Sequence, residues 1–360
     1  MNMQHTPVRL AAVLVASLTM VVAGFGEAHA QSNGTGGSLG ESGSRAGTAG
    51  AAELLVAPTA RYASLGAAGT SGISGMSGIE ALYANPAGLA LGTGTGAIFS
   101  RMNYVADIGV NYFGVSRNFG NNNLAFTVSS WDFGEIPEQT EIVPDVADVS
   151  FNVTYMTAGL SYARTLTDRI SVGTTVKMVS ESIDDVTGTA VAFDAGMNYI
   201  VGESGLRFGV ALKNIGSGLN FSGAGLTRIV KLNDQAPSAK PNALNFEVAK
   251  TELPTLLNFG AAYTRPVGAG SSVTFLGNFR SNAFDPDQYA GGVEFSFQNL
   301  FFVRGGYSAV ESGESSFYTG LSYGAGVNLN LGGSAITVDY AYVPTDYFSN
   351  VSYVTASLKL

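Results

Sequence analysis

Residues 317–331 read Phe-Tyr-Thr-Gly-Leu-Ser-Tyr-Gly-Ala-Gly-Val-Asn-Leu-Asn-Leu. Alternate positions fall into two sets. Phe317, Thr319, Leu321, Tyr323, Ala325, Val327, Leu329 and Leu331 form an almost wholly apolar face, and Tyr318, Gly320, Ser322, Gly324, Gly326, Asn328 and Asn330 form the other. A period of two is a strand. A soluble sandwich would bury bulky apolar side chains and turn a polar face to water, but this small polar face cannot fill a core. It can line an enclosed, water-bearing space while the apolar face meets lipid, as in an outer-membrane barrel.

The pattern recurs from residue 97 onward. Strands are expected near 97–105, 108–118, 122–132, 153–165, 169–181, 188–201, 206–215, 255–266, 271–280, 288–298, 299–309, 316–331, 334–344 and 350–360. The predicted fold is all-β: a transmembrane antiparallel β-barrel of about 14 strands over 97–360, preceded by a plug over 51–96 that contains a short helix. Connectors alternate short (119–121, 165–169, 202–205, 266–270, 298–299, 332–333) and long (132–152, 183–188, 216–253, 281–287, 311–315, 344–349), as periplasmic turns and external loops do. Only the link near Ala106 breaks this rhythm by being short. An even strand count predicts both termini on the periplasmic side. Pro137, Pro144, Pro237, Pro241, Pro286 and Pro344 all fall in loops, where no ladder hydrogen bond is lost.

Charges sort with the pattern. Lys177, Asp194, Arg207, Lys213, Arg280, Glu294, Arg304 and Asp339 share the Gly/Ser/Asn register of their strands and are expected inside the barrel. A charge on the lipid face costs about 2–4 kcal/mol near the midplane. Such inward charges serve either a ligand or ion path or, with more weight, a network that ties the plug to the wall.

Composition supports a membrane protein. Charged residues are 12% of the chain, about half the usual share of a soluble domain, and Gly is 47 of 360. The net charge of −9 offers no basic surface, so no nucleic-acid partner is expected. Residues 1–30 read as an export signal, with Arg9 before an apolar run and Ala28-His29-Ala30 as the cleavage site. Residues 31–50 are a flexible Gly/Ser-rich tail. Both His residues, His5 and His29, lie in the signal, and there is no Cys. Cys and His nucleophiles and Cys/His zinc sites are thereby excluded, and no enzyme activity, metal or cofactor is expected. The acidic stretch 132–152 could take Ca²⁺ or a basic partner, but a solvated loop is the plainer reading.

In the plug, Ser77-Gly78-Ile79-Glu80 has a capping-box pattern, predicting a short helix that Asn85-Pro86 ends. The run Ala84-Asn85-Pro86-Ala87-Gly88-Leu89-Ala90, after Arg61 to Gly66 and ahead of a β-rich chain, resembles the PorV/PorQ family of outer-membrane barrels. That family is similar in turn to FadL-type transporters of hydrophobic compounds. Ser77 and Glu80 of the capping box, with Asn85, Pro86 and Gly88 of the run that carries the resemblance, make up the expected plug motif.

The long segment 216–253 carries Leu219, Phe221, Leu226, Ile229, Val230 and Leu232, unusual for a solvated loop. It is expected either to fold over the barrel mouth or to offer a surface to a partner or hydrophobic ligand. Two functions follow from the resemblance. The first is a type IX secretion adaptor that receives secreted proteins bearing C-terminal sorting domains. The second is a FadL-like passive route for a hydrophobic small molecule. In either case outer-membrane lipid surrounds the barrel.

Overall fold

The computed structural model describes residue 45 and residues 47–72, 77–137, 150–230, 240–268, 270–311 and 318–360. The expected signal, most of the 31–50 tail, Phe317, Leu232 and the centre of the acidic 132–152 stretch lie outside the described residues.

The alternating segments form strands β1 (Thr95–Asn103), β2 (Gly109–Phe119), β3 (Asn122–Pro137), β4 (Ser150–Thr167), β5 (Ile170–Ile183), β6 (Val186–Ile200) and β7 (Leu206–Gly216). Three four-residue strands follow: β8 (Asn220–Gly223), β9 (Thr227–Val230) and β10 (Asn242–Asn245). The wall resumes with β11 (Leu256–Pro266), β12 (Ser272–Asn282), β13 (Gln288–Phe297), β14 (Phe301–Val310), β15 (Leu321–Leu331), β16 (Ser334–Val343) and β17 (Val351–Lys359). Each of these fourteen wall strands pairs antiparallel with its neighbours, and β7 pairs directly with β11. The sheet then closes on itself, since β1 pairs with β17 from Gly96↔Lys359 to Asn103↔Ser352. Among the described residues no stacked second sheet buries Leu321 and Val327; the wall is a cylinder.

On β15 the two faces separate as the alternation demands. Tyr323 and Leu331 are 47% and 60% exposed, whereas Ser322 on the inward register is 2% exposed. Phe99, Phe113, Leu160, Met178, Phe275 and Val303 extend the outward apolar band around the cylinder. An apolar surface of that extent requires a lipid environment.

Most wall strands have 9–11 residues, enough to cross a bilayer when tilted, but β3 to β6 have 16, 18, 14 and 15. The wall is therefore taller on that side. The expected long link 183–188 is instead a tight hairpin at Asp184-Asp185, with Asp184 at φ 51°. The β-branched Val186 and Thr187 continue the ladder against Ile183 and Ser182, so pairing wins over loop formation. β8 then pairs with residues 186–189 of β6, folding the start of segment 217–254 onto that extension.

The lumen is not simply filled with water. Residues 51–72 and 77–92 run inside the barrel as short 3₁₀ turns and, among the described residues, one helix, Ala60–Ser64. The helix predicted from Ser77 is a 3₁₀ turn over Gly78–Ala81 in which Ser77 makes no side-chain cap. Glu80, which the capping box would have turned back to Ser77, is drawn to Arg61 instead. The inward glycines admit this segment. A Cβ on Gly196 would meet Asn85 Oδ1 at 2.0 Å, and one on Gly306 would meet the Gly66 nitrogen at 2.2 Å. The small face expected to line water is largely a bed for the inner chain.

The termini of the wall meet at the short-turn end, where Thr95 and Leu360 exchange backbone hydrogen bonds at 3.0 and 2.8 Å. The inner segment starts elsewhere. Arg45 pairs with Glu252 at 3.0 Å and Gly50 N–H donates to Glu252 O at 2.9 Å, both at the long-loop end. Arg45 and residues 47–50 therefore lie at the end of the barrel opposite Leu360, and the amino terminus itself lies outside the described residues.

Candidate functional site

The Asn-Pro-Ala-Gly run docks the inner chain to β6 and β7. Asn85 is extended (φ −159°), as the following Pro86 requires. Its Oδ1 accepts from Ala87 N–H at 3.0 Å, capping the 3₁₀ turn Pro86–Leu91, and its amide nitrogen reaches Thr70 O at 3.0 Å and Asn198 Oδ1 at 2.8 Å. Gly88 packs on Ala81, whose Cβ would lie 2.5 Å from any Cβ at that position. Ser77 is half-buried and lines a cavity of about 260 Å³ at the short-turn end, together with Asn328, Asn330 and Lys359.

Glu80 belongs to a buried layer of charge. Arg61 Nη1 lies 2.9 Å from Glu80 Oε2, and Arg61 Nη2 lies 3.7 Å from Asp339 Oδ2. Arg304 joins the same carboxylate at 2.5 Å and binds Glu294 at 2.6 Å. Both guanidiniums stack near the Phe302 ring, 5.2 and 5.1 Å from its centre. Two cations thus face three carboxyls in a region with almost no exposure. Burial pushes the Glu80 carboxyl up to about 7, against the opposing pull of Arg61. Gly326 makes room for this layer, because a Cβ there would sit 2.0 Å from Asp339 Oδ1.

A second cluster lies across the lumen, where β7 is irregular. The β6–β7 register shifts between Phe193 and Ala195, and Asn214 takes φ 61°, so successive side chains Lys213 and Asn214 both point inward. Asp194 accepts from Asn214 N–H at 2.8 Å and pairs with Lys177 at 2.8 Å, while Lys177 also donates to Asn214 Oδ1. Lys213 donates to Tyr83 O at 2.7 Å and lies 3.7 Å from the centre of its ring. These groups form one edge of a cavity of about 70 Å³, whose other walls include the apolar Leu54, Val56, Leu82, Met102, Val110 and Trp131 together with Glu53, Thr127, Ser129 and Thr175. The arrangement suits an apolar molecule with a polar end.

The eight inward charges therefore divide. Glu294, Arg304 and Asp339 join one layer, and Lys177, Asp194 and Lys213 flank the small cavity. Arg280 stands apart, with Nε donating to Asn258 Oδ1 at 3.2 Å, and lines a larger cavity of about 470 Å³ with Tyr62 and Tyr318. Arg207 is half-buried near the short-turn end of β7.

The long-segment residues are dispersed. Leu219 is fully buried against Val179, Ala190 and Leu253, with Phe221 packed alongside. Leu226 and Val230 are half-buried, and Ile229 is 78% exposed on the β9–β10 ribbon. They do not make one surface.

Sequence reasoning passed over Arg61, Glu53 and Glu181. Glu181 has the same strand parity as Lys177, so the alternation could have found it; it accepts from Ala51 N–H at 3.0 Å. Burial, with the Glu181 carboxyl beside it, pushes Glu53 up to about 8. Arg61 had no comparable signal, because the inner segment has no period to reveal which way a side chain points.

No protein-family model matches the chain, and no curated protein sequence does. Solved structures do. The Ralstonia pickettii toluene transporter TbuX is 14% identical with a TM-score of 0.54, over 84% of this chain and 98% of that one. The Pseudomonas putida toluene transporter TodX is 12% identical with a TM-score of 0.51, over 82% of this chain and 96% of that one. At these identities the likeness is one of fold, a closed 14-strand antiparallel barrel.

Proposed function

We propose that this protein is an outer-membrane channel for small hydrophobic molecules, with its short turns in the periplasm and its long loops outside. The observation that carries this reading is the apolar cavity between Leu54, Leu82, Met102 and Trp131, edged by Lys177, Asp194 and Lys213 and enclosed by the inner segment. Binding there is favoured by burial of the solute's apolar surface and oriented by the polar edge. TbuX and TodX, which share the fold, are described as toluene transporters, and this supports the transport reading over the secretion adaptor that the sequence put first. A PorV/PorQ role would gain support if secreted proteins with a common C-terminal domain co-purified with the barrel.

The test is uptake of the hydrophobic dye N-phenyl-1-naphthylamine by intact cells. Cells carrying the wild-type chain take up the dye faster than vector controls, and Trp131→Arg, which puts a charge into the cavity, removes that advantage while the barrel stays heat-modifiable. Equal uptake with and without the folded wild-type chain overturns the proposal.

A further inference from the structure

A row of cross-strand neighbours crosses the inward face of the taller side of the wall. Trp131 of β3 lies opposite Tyr155 of β4, and Tyr155 lies opposite Glu181 of β5, two residues short of the end of that strand. Phe133 meets the Tyr155 ring edge-on, with 4.7 Å between centres, and Tyr104, just after β1, meets the Trp131 ring the same way at 5.2 Å. Residues 49–53 of the inner segment complete the walls of a cavity of about 340 Å³ against this row, at the long-loop end. A cavity of that size holds a small ligand.

Its aromatic walls are accompanied by two carboxyls without a counter-charge. Glu53 is 9% exposed, and neither of its side-chain oxygens has a hydrogen-bonding partner among the described residues. Glu181 is 7% exposed and accepts from Ala51 N–H. The other buried acids of the interior, Glu80, Asp194, Glu294 and Asp339, each pair with an Arg or a Lys. Among the described residues Glu53 and Glu181 pair with none, and no Lys or Arg lines this cavity. A buried carboxyl lacking a cation is costly, and two side by side repel each other as they ionise. A cation entering the cavity relieves both costs. The walls select its kind, since ring faces attract an ammonium group, whereas a hard divalent metal seeks six or more oxygen ligands.

We infer that this cavity is a binding site for organic cations, small ammonium compounds whose charge meets Glu53 and Glu181 and whose apolar body lies against Trp131, Phe133, Tyr155 and Tyr104. It abuts the smaller cavity, because Glu53, Val56 and Trp131 line both. The smaller one has Lys177 and Lys213 on its walls as well as Asp194 and Glu53, so a preference for positive charge belongs to the outer cavity.

Trp131 is the chain's single tryptophan, and its emission therefore reports this site. The purified protein in a non-ionic detergent is titrated with benzyltrimethylammonium and with two comparators of similar size, neutral 2-phenylethanol and anionic 3-phenylpropanoate. The expected result is a saturable change in Trp131 emission with the cation at concentrations about tenfold below those the alcohol requires, and no change with the anion. Glu53→Gln combined with Glu181→Gln keeps both shapes and the acceptor for Ala51 N–H, and is expected to raise the cation's half-saturation to that of the alcohol. Heat-modifiable migration shows that this variant has folded. Equal half-saturation for cation and alcohol in the wild type overturns the inference. So does a cation preference that survives in the folded double variant, or a change in Trp131 emission produced by calcium chloride at lower concentrations than by benzyltrimethylammonium. No step crosses a membrane, so failure here leaves the channel reading intact, and failure of dye uptake leaves this site intact.

Discussion

Arg61 of the inner helix and Glu80 of the following 3₁₀ turn form a buried ion pair at 2.9 Å, and Asp339 of β16 lies 3.7 Å from the same guanidinium. One side chain thus fastens the inner segment both to itself and to the wall. Removing one partner of such a layer leaves uncompensated buried charge, which costs more than the intact layer contributes.

Arg61→Ala is therefore expected to destabilise the barrel by about 3–5 kcal/mol. The measurement is the temperature at which the purified protein in detergent loses its folded migration on unheated gels. Arg61→Met combined with Glu80→Leu is expected to recover most of the loss, since it removes both members and keeps the volume. A double variant no better than Arg61→Ala would show that the arginine's packing on Phe302 is what matters.

Stability should depend on pH through the inner segment. Glu53 is pushed up to about 8 and Glu80 to about 7, both above the unfolded carboxyl value of 4.5. The folded state then binds more protons than the unfolded state in that interval, so the contribution of these two groups to stability is fully present below about 4.5 and is lost as pH rises through about 7 to 8. Thermal unfolding followed from pH 4.5 to 8.5 checks the sign. Glu53→Gln is expected to flatten the upper part of the decline and leave the part due to Glu80.

The inward glycines differ from the outward ones in what they touch. Gly326→Ala places a methyl 2.0 Å from Asp339 Oδ1 and 3.0 Å from Arg304 Nη1, and is expected to cost about 1–3 kcal/mol. Gly277→Ala, where nothing lies within 4 Å, is expected to be neutral. Comparable unfolding temperatures for the two variants would refute the docking role given to the glycine face.

Charge placement tests the sidedness of the wall. Leu160 is 61% exposed on the outward face of β4, and Leu160→Arg is expected to cost about 2–4 kcal/mol or to prevent assembly. Asn330→Arg, on the inward register beside the short-turn cavity, should fall within about 0.5 kcal/mol of wild type. Yield of heat-modifiable barrel in the outer-membrane fraction measures both.

Much of the wall is legible in the sequence, because a strand repeats its chemistry every second residue. The parity of Lys177, Glu294 and Asp339 gives the side each occupies, and Gly332-Gly333 marks a turn. The inner segment is legible only in pieces. Asn85-Pro86 marks a break in the chain, as observed, but the capping box at Ser77 misleads. A cap contributes only about 1 kcal/mol, and Glu80 gains more by meeting a buried arginine. Asp184-Asp185 resembles part of a loop because two acids interrupt the apolar run, although Val186 and Thr187 restore the ladder at once.

The amino-acid sequence by itself determined which side chains face lipid and which face inward, and with them the closed antiparallel wall, since alternation and connector length are local properties of the chain. Only the tertiary structure decided that Arg61 meets Asp339, that Asn85 lies against Gly196, and that Arg45 and Gly50 rest on the rim opposite Leu360. Those relations join positions far apart in the chain, and they are set by how an aperiodic inner segment fits a bed of glycines, which no local pattern encodes.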